Sequence, residues 1–571
     1  MPWPHTEAVT KSVPLPGRVR AAWPWADRAL CPALMLVAAA YRLDLLATLY
    51  PAVDADQSVL GLMAYHVQAG QYPVFYAGQP YMGSLEAYLA AALFAVAGAG
   101  DVTLRLPALA FSVLFVGAVY VLGRELYGRR VALLAGADGA LGPAVLVIWG
   151  LAAGAGYIEV MAIGTVLLVL AARYPALDAL PARVAALMGL LMGCGLWLEP
   201  LMVDYLVPLC VVYAARLAVA WRTDSTVPRR AVTPLAVMAL GAVAGAAPLL
   251  AYNLAHGWET VRFIVGAGTA APHVSRLAVA AHLLPYAAPV LLGLAQPTSY
   301  PAVFARWSAH HAPAYWAGVA LATTILGVLV LSRRGLVPRL AALAACRNSA
   351  GTPPCCTCAG RDAPLVLCGF CVVAVYVLSR FGFGSTVLAM PRYLLPLYTL
   401  TPLVVDAVVP RRSRRARAAV TALAVALLAA NAAVTRATPL EHLDGPPIAA
   451  LARVLEARGI RIAYVDYWIA YRLSFESHER ILGIPARDAG RFGRVRLTGY
   501  LAAADRAPAA RIAWLFPAGS PGDAHLRALL ARAHVGYRRT VWQREAIYDH
   551  LSRPVRASGP CLGGSIAVPC R

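Results

Sequence analysis

With 571 residues, 60% of them hydrophobic and 14% charged, and a mean hydropathy of +0.63, the chain lies far from the balance of a soluble globular protein. Its formal charge is +22, from 50 Lys and Arg against 28 Asp and Glu. Lys11 is the only lysine, and the arginines cluster between apolar runs, which is the pattern of cytoplasmic loops against anionic lipid and not of a nucleic-acid-binding surface.

The expected fold class is an α-helical polytopic membrane protein. Residues 1–28 are basic and Pro-rich, without a compact apolar stretch ending in a small-residue cleavage site, and read as a cytoplasmic N-terminal tail. Apolar runs follow at residues 29–49, 103–122, 131–149, 158–172, 184–198, 201–221, 232–252, 313–331, 364–379, 392–409 and 418–435. Several are shorter than the ~20 residues a bilayer prefers, and together they predict about eleven transmembrane helices. The run "LLPYAAPVLLGLA", 283–295, holds two prolines and reads as a re-entrant or interfacial helix.

Orientation follows from arginine. Arg124, Arg129 and Arg130, then Arg222, Arg229 and Arg230, then Arg333, Arg334 and Arg339, and the stretch "RRSRRAR" at 411–417 each close an apolar run and belong inside. Residues 50–102, 253–312 and 436–571 then fall outside a cell inner (plasma) membrane that the chain crosses many times. Residues 29–435 would form the membrane domain, with 50–102 as its first external loop.

Past residue 436 the texture changes to an amphipathic helix, a β-rich run "RIAYVDYW", and a second strand-helix alternation, "ARIAWLF" before "DAHLRALLARAHVGYRRTVW". This predicts a small extracytoplasmic α/β domain over 436–571. Cys561 and Cys570 lie there, where a disulfide can form. The cytoplasmic cluster Cys346, Cys355, Cys356 and Cys358 has no standard zinc spacing and no nearby His.

The most chemically suggestive stretch is "VDADQSVLGLMAYHVQAG", 53–70, which sets Asp54 and Asp56 at the outer mouth of the first span. Structurally, Asp is favoured at a helix start, and "QSVLGLMAYHV" would be that helix. Asp-x-Asp spacing can also hold a divalent ion, but two carboxylates are a poor cage, so a metal is possible without being required and no metal ligand is assigned. Glu159 begins the fourth span, again outside, and Glu86 stands in "GSLEAY".

The segment that follows the pair, with "GQYP", "YAGQPYMGSLEAY", "LRLPAL" and "LGRELYG", resembles the multispanning glycosyltransferases that take sugars from polyprenyl phosphates, the superfamily of protein O-mannosyltransferases and the lipid A aminoarabinose transferase. The resemblance runs over residues 40–175 and is weaker beyond. Where many relatives carry a His-Pro or Lys-Pro pair, this chain reads "GQPYMGSLE". The resemblance implies a polyprenyl-phosphate sugar as donor and an extracytoplasmic acceptor: a glycolipid, a polysaccharide or a protein. It puts the acid of the first external loop, Asp54 or Asp56, in the role of general base, with Asp56, nearer the following helix, preferred. An acid at the top of the fourth helix corresponds to Glu159, and Gln79, Tyr81 and Glu86 fall in the substrate loop.

Arginine suits a departing phosphate because its planar fork binds two oxygens at once. Arg392, in "AMPRYLLPLY", resembles the late "RY" plus Pro pattern of these transferases; Arg105 and Arg380 are the alternatives at the outer mouth. Two other readings share the topology: a polysaccharide ligase or polymerase, which would carry its working residues in a large external loop, and a transporter, which would show two corresponding Gly/Pro-interrupted halves.

Overall fold

The computed structural model describes residues 25–50, 52–154, 156–269, 275–295, 312–331, 360–378, 391–409, 413–438, 446–487, 491–557, 561–563 and 566–568. Arg380, the Cys346–Cys358 cluster and Cys570 lie outside the described residues, as does most of the N-terminal tail.

The first helix, α1 (Trp25–Thr48), leads through Asp54 into α2 (Ala55–Gln68), and a Gly- and Pro-rich turn leads on to α3 (Leu85–Ala97) and α4 (Asp101–Leu126). The sequence reading passed over α3. Its "LEAYLAAALFAVA" is Ala- and Leu-rich and forms helix readily, but at 13 residues it is too short to span a bilayer. The third apolar run is two helices, α5 (Arg129–Leu141) and α6 (Ala144–Trp149), because Gly142 and Pro143 interrupt it. The carbonyls of Gly139 and Ala140 at the end of α5 accept from the buried Arg42 of α1, at 3.0 and 2.7 Å. An arginine inside the first span thus closes the helix end that Pro143 leaves open.

Then come α7 (Tyr157–Arg173), α8 (Ala182–Leu198), α9 (Val203–Thr223) and α10 (Val227–Gly245). Helices α8 and α10 meet through "GLLMG" and "GAVAG": a Cβ added at Gly193 would stand 2.1 Å from the Ala242 carbonyl oxygen, and one at Gly245 2.3 Å from that of Leu190. Only glycine permits that backbone approach, the small-residue packing of membrane helices.

Next are α11 (Ala247–Ala255), α12 (Glu259–Thr269), α13 (Arg276–His282) and the one-turn α14 (Ala288–Leu291), with a π-helical turn at Leu283–Ala287 between the last two. The remaining helices of this region are α15 (Ala312–Leu331), α16 (Ala363–Leu378), α17 (Thr401–Val408) and α18 (Arg414–Ala437). The tenth apolar run opens as a 3-10 stretch, Pro391–Leu400, with Pro396 inside it. Five helical stretches among the described residues are long and apolar enough to cross a membrane: Ala29–Thr48, Asp101–Leu126, Pro200–Arg222, Val227–Gly245 and Arg414–Ala437. Proline and glycine breaks divide other runs into shorter pieces.

The C-terminal part carries α19 (Ile448–Ala457), β1 (Ile462–Val465), α20 (Tyr467–Glu476), β2 (Leu482–Arg487), β3 (Arg491–Phe492), α21 (Gly499–Arg506), β4 (Ile512–Pro517), α22 (Pro521–Arg532), β5 (Arg538–Trp542) and β6 (Glu545–Asp549). The six strands lie in the order β3-β2-β1-β4-β6-β5, with β2, β1 and β4 parallel. Side chains alternate across it: Ile462, Tyr464, Ile512, Trp514 and Phe516 enter one core, and Ala463, Val465, Ala513 and Leu515 the other.

The first of those cores is shared with the segment after α1. Val59, Leu60, Met63, Ala87, Ala90 and Phe94 of α2 and α3 belong to it with Tyr471 and Phe475 of α20. The Phe475 ring stacks on Tyr65 at 5.4 Å and covers Gly61, where a Cβ would lie 2.4 Å away. Past α20, His478 and Glu479 take left-handed backbone angles (φ 50° and 57°), and both side chains reach α2: Tyr65 Oη to His478 Nδ1 at 2.9 Å, His66 Nε2 to Glu479 Oε1 at 2.8 Å.

If the arginine clusters lie on the cytoplasmic side of the membrane, single cysteines in a cysteine-depleted background at Tyr72 and Val541, 74% and 51% exposed, will be labelled by an impermeant maleimide in intact cells. One at Trp221, 61% exposed, will react only after permeabilisation. The opposite pattern inverts the topology.

Candidate active site

The N-terminus of α2 organises the site. Asp54 is its N-cap, with extended backbone, and Oδ1 accepts from the Gln57 amide at 2.8 Å. Asp56 falls two residues later, in the first turn, where the helix dipole favours a carboxylate. Arg105 of α4 fastens the joint behind them: Nε donates to Gln57 Oε1 at 2.7 Å, Nη2 to the Ala52 carbonyl at 2.6 Å and Nη1 to that of Tyr50. Arg105 is 3% exposed, and each of its three nitrogens donates to the chain itself, so its contacts are those of a clasp on the joint.

Asp56 meets the C-terminal sheet. The Tyr467 hydroxyl donates to its Oδ1, and Arg496 Nη2 reaches the same oxygen at 3.3 Å. Tyr467 is the first residue of α20, set by the Asp466 cap, whose side chain accepts from the Trp468 amide at 2.9 Å. Enclosed by protein on several sides, the Asp56 side chain still keeps 44% of its surface open, while that of Arg496 keeps 1%. Burial raises the Asp56 carboxyl, but Arg496, the Tyr467 hydroxyl, Arg494 and Arg392 outweigh it and hold it below the usual carboxylate value. Asp54 goes the other way: burial and the Asp56 charge push it up.

Arg496 is seated by the turn before α3. With its amide oxygen toward the guanidinium, Gln79 accepts from Nη1 and Nη2, both at 2.6 Å, and donates to the Tyr81 hydroxyl at 2.8 Å. The Tyr76 ring lies 5.4 Å beneath the guanidinium, and the Tyr76 hydroxyl donates to the Asp56 carbonyl. At Gly78, φ is +71° and a Cβ would stand 3.2 Å from Arg496 Cδ, so the turn needs glycine there.

On the far side of Tyr81 lie Arg392 and the buried acids. Burial and the Glu199 carboxylate raise the Tyr81 hydroxyl, while Arg496 and Arg392 draw it down, so both arginines bear on Tyr81. Arg392 rests in an aromatic cage, 5.0 Å from the Trp149 ring, 5.4 Å from Tyr393 and 5.9 Å from Tyr157. Glu86, Glu159 and Glu199 are 4%, 1% and 4% exposed. Glu86 Oε2 accepts from the Gly154 amide, and Glu159, with both its oxygens buried, lies beside Glu86. Burial first, then the neighbouring Glu159 carboxylate, pushes the Glu86 carboxyl well above the carboxylate range.

The structure therefore gathers Asp54, Asp56, Gln79 and Tyr81 at one opening and pairs Glu86 with Glu159 deeper in. Arg392 is near enough for its charge to be felt at Asp56. Sequence reasoning missed Tyr467, Arg494 and Arg496, and also Trp149, Tyr157, Tyr393 and Glu199. The alternating "GRVRL" beside a strand was the one available sign of the C-terminal arginines. Among the described residues no three His, Cys, Asp or Glu side chains converge as metal ligands.

No family model and no curated protein sequence matches the chain. Among solved structures it is similar to ArnT from Cupriavidus metallidurans bound to undecaprenyl phosphate, 14% identical over 94% of this chain and 100% of that one, with a TM-score of 0.42. It is similar to the archaeal oligosaccharyltransferase AglB from Archaeoglobus fulgidus, in complex with an inhibitory peptide and a dolichol-phosphate, at 10% identity over 92% and 74% with a TM-score of 0.45. A third is arabinosyltransferase EmbB from Mycobacterium smegmatis, at 15% over 76% and 42% with a TM-score of 0.32.

Tyr467→Phe removes one donor from a carboxylate whose native pKa is depressed. Such a group stabilises the fold above its unfolded pKa, and the contribution is lost as pH falls through the folded value. The variant should be less stable at neutral pH by about 1 kcal/mol, a figure discounted for the open side of Asp56. The deficit should shrink as pH drops below about 4, where the unfolded carboxyl protonates. Thermal unfolding in detergent across pH measures it, and a pH-independent deficit would detach Tyr467 from Asp56.

Proposed function

We propose that the protein is a membrane glycosyltransferase that moves one sugar from a polyprenyl-phosphate donor to an extracytoplasmic acceptor, with Asp56 as general base. The observation that carries this reading is the pairing of a half-open carboxylate, fixed at a helix N-terminus, with guanidinium groups that bear on it from two other parts of the chain. The resemblance of residues 40–175 to polyprenyl-phosphate-dependent transferases supports the same chemistry.

In this mechanism the acceptor hydroxyl oxygen attacks the anomeric carbon and the bond from that carbon to the phosphate oxygen breaks. The electron pair leaves with the lipid phosphate, and the acceptor proton passes to Asp56. Arg392 lies on the phosphate side, where a fixed cation stabilises the charge that develops on the leaving oxygen. Gln79 and Tyr81 offer hydrogen bonds to the sugar. Asp54 serves as the helix cap. Glu159, without a path to solvent, acts by holding a proton with Glu86 and so setting the charge beneath the substrate turn. Whether a hexose or a pentose is transferred depends on the fit of that turn.

The test supplies purified protein in lipid nanodiscs with radiolabelled polyprenyl-phosphate sugars and membrane extract, and follows label leaving the lipid. Asp56→Asn should fold and lose transfer by ~10² to 10⁴, the usual worth of a general base. Asp54→Asn should stay within a few-fold of wild type, because Asn caps helices about as well as Asp. Transfer at wild-type rate by Asp56→Asn would remove Asp56 from the chemistry.

A further inference from the structure

The segment Gly493–Leu497 runs from β3 toward α21, with Val495 in the shared core and an arginine on either side of it. Arg496 is 4% exposed. Its Nη1 and Nη2 both meet one oxygen, that of Gln79, while Nη2 also meets Asp56 and Nε the Tyr467 hydroxyl, each at 3.3 Å. Arg494 has a buried Nε that makes no hydrogen bond. The groups facing Asp56 are Asp54 on its own element, Tyr76 from the following turn, Tyr467, Arg494 and Arg496 from the C-terminal part, and Arg392 from the 3-10 stretch.

The arginines around Asp56 have different partners. Glu199 stands against Arg392, and Arg105 bears on Asp54. Arg494 and Arg496 both bear on the carboxylate of Asp56. A buried guanidinium N–H without an acceptor, such as Arg494 Nε, is costly unless a ligand completes it, and the Arg496 fork, whose two terminal nitrogens converge on the Gln79 oxygen, has the geometry that suits phosphate oxygens.

We propose that the phosphate of the lipid donor is received by Arg494 and Arg496 of the C-terminal part, and that Arg496 exchanges Asp56 for phosphate oxygens as the donor binds. This inference rests on the transferase reading above and adds to it a second phosphate clamp and an order of events. While Arg496 holds Asp56, the carboxylate is a weak base; once the phosphate has taken the guanidinium, its proton affinity rises. The acceptor is then deprotonated only when a donor is seated, which guards the site against idle proton transfer.

The test is equilibrium binding of undecaprenyl phosphate to the purified full-length protein in nanodiscs, with undecaprenol and inorganic phosphate as the other arms. Wild type should bind undecaprenyl phosphate well above undecaprenol. Arg494→Gln and Arg496→Gln should each weaken it about tenfold, the usual worth of one charge-assisted contact, and Arg496→Lys should recover part of the loss. Asp56→Asn, which removes the competing anion, should bind undecaprenyl phosphate more tightly than wild type. A purely structural Asp56–Arg496 pair would not produce that gain.

Melting temperatures of each variant guard against misfolding, and Arg496→Lys, which keeps the charge, keeps the test decisive. Wild-type affinity in both arginine-to-glutamine variants, with no gain in Asp56→Asn, overturns the inference and leaves the transferase reading standing. A wild-type protein that prefers undecaprenyl phosphate no more than undecaprenol overturns the reading and the inference with it. Displacement of the lipid by inorganic phosphate at equal affinity overturns the lipid as the source of the phosphate.

Discussion

A carboxylate two residues into α2 meets a guanidinium 440 residues further along the chain, and the site depends on that contact. Neither partner could be held there by local structure alone. Asp56 is fixed by the cap at Asp54 and by the hydroxyl of Tyr76 on its carbonyl, and Arg496 by the turn at Gln79 and the hydroxyl of Tyr467. What brings the two sides together is an apolar core in which α2 and α3 pack against one face of the C-terminal sheet. Burial there supplies the stability, and the polar contacts choose the register. The left-handed turn at His478 and Glu479 belongs to the same fit, since it delivers two successive side chains to α2.

The charge pattern follows from that docking. A lone pair with one partner 1% exposed and the other 44% exposed contributes little net stability, so the Asp56–Arg496 contact is better understood through what it does to the two groups. It holds the carboxyl below its usual value and keeps the guanidinium in place. Arg105 and Arg42 show the contrasting use of arginine in this chain. Both are buried, and their nitrogens close carbonyls and side-chain oxygens at helix junctions that proline or a sharp turn leaves open.

Local signals were legible in the sequence. The cap at Asp54, the helix from "QSVLGLMAYHV", the arginine clusters and the strands "RIAYV" and "ARIAWLF" each follow from spacing and residue type. The break of the third run at Gly142–Pro143 was written there too, but a count of apolar residues hides it. The close approach of α8 and α10 was present as two G-x-x-x-G patterns, "GLLMG" and "GAVAG", whose partnership only the packing reveals. Arg105 illustrates the limit: an arginine at the outer end of a span has the same sequence appearance whether its fork meets a ligand or a carbonyl. Tyr467, Arg494 and Arg496 were beyond reach because proximity across hundreds of residues leaves no periodic trace, and Glu86 could be recognised as Glu159's neighbour only once α3 was seen to be a helix.

The central claim is that the segment after α1 and the C-terminal sheet build one site between them. A double-mutant cycle on unfolding stability in detergent, with Asp56→Asn, Arg496→Gln and the combined variant, tests it most directly. The account predicts a coupling of about 0.5 to 1.5 kcal/mol, the double variant losing less than the sum of the two single losses. Additive losses would mean that Asp56 and Arg496 do not meet, and that the site is not shared between the two parts of the chain.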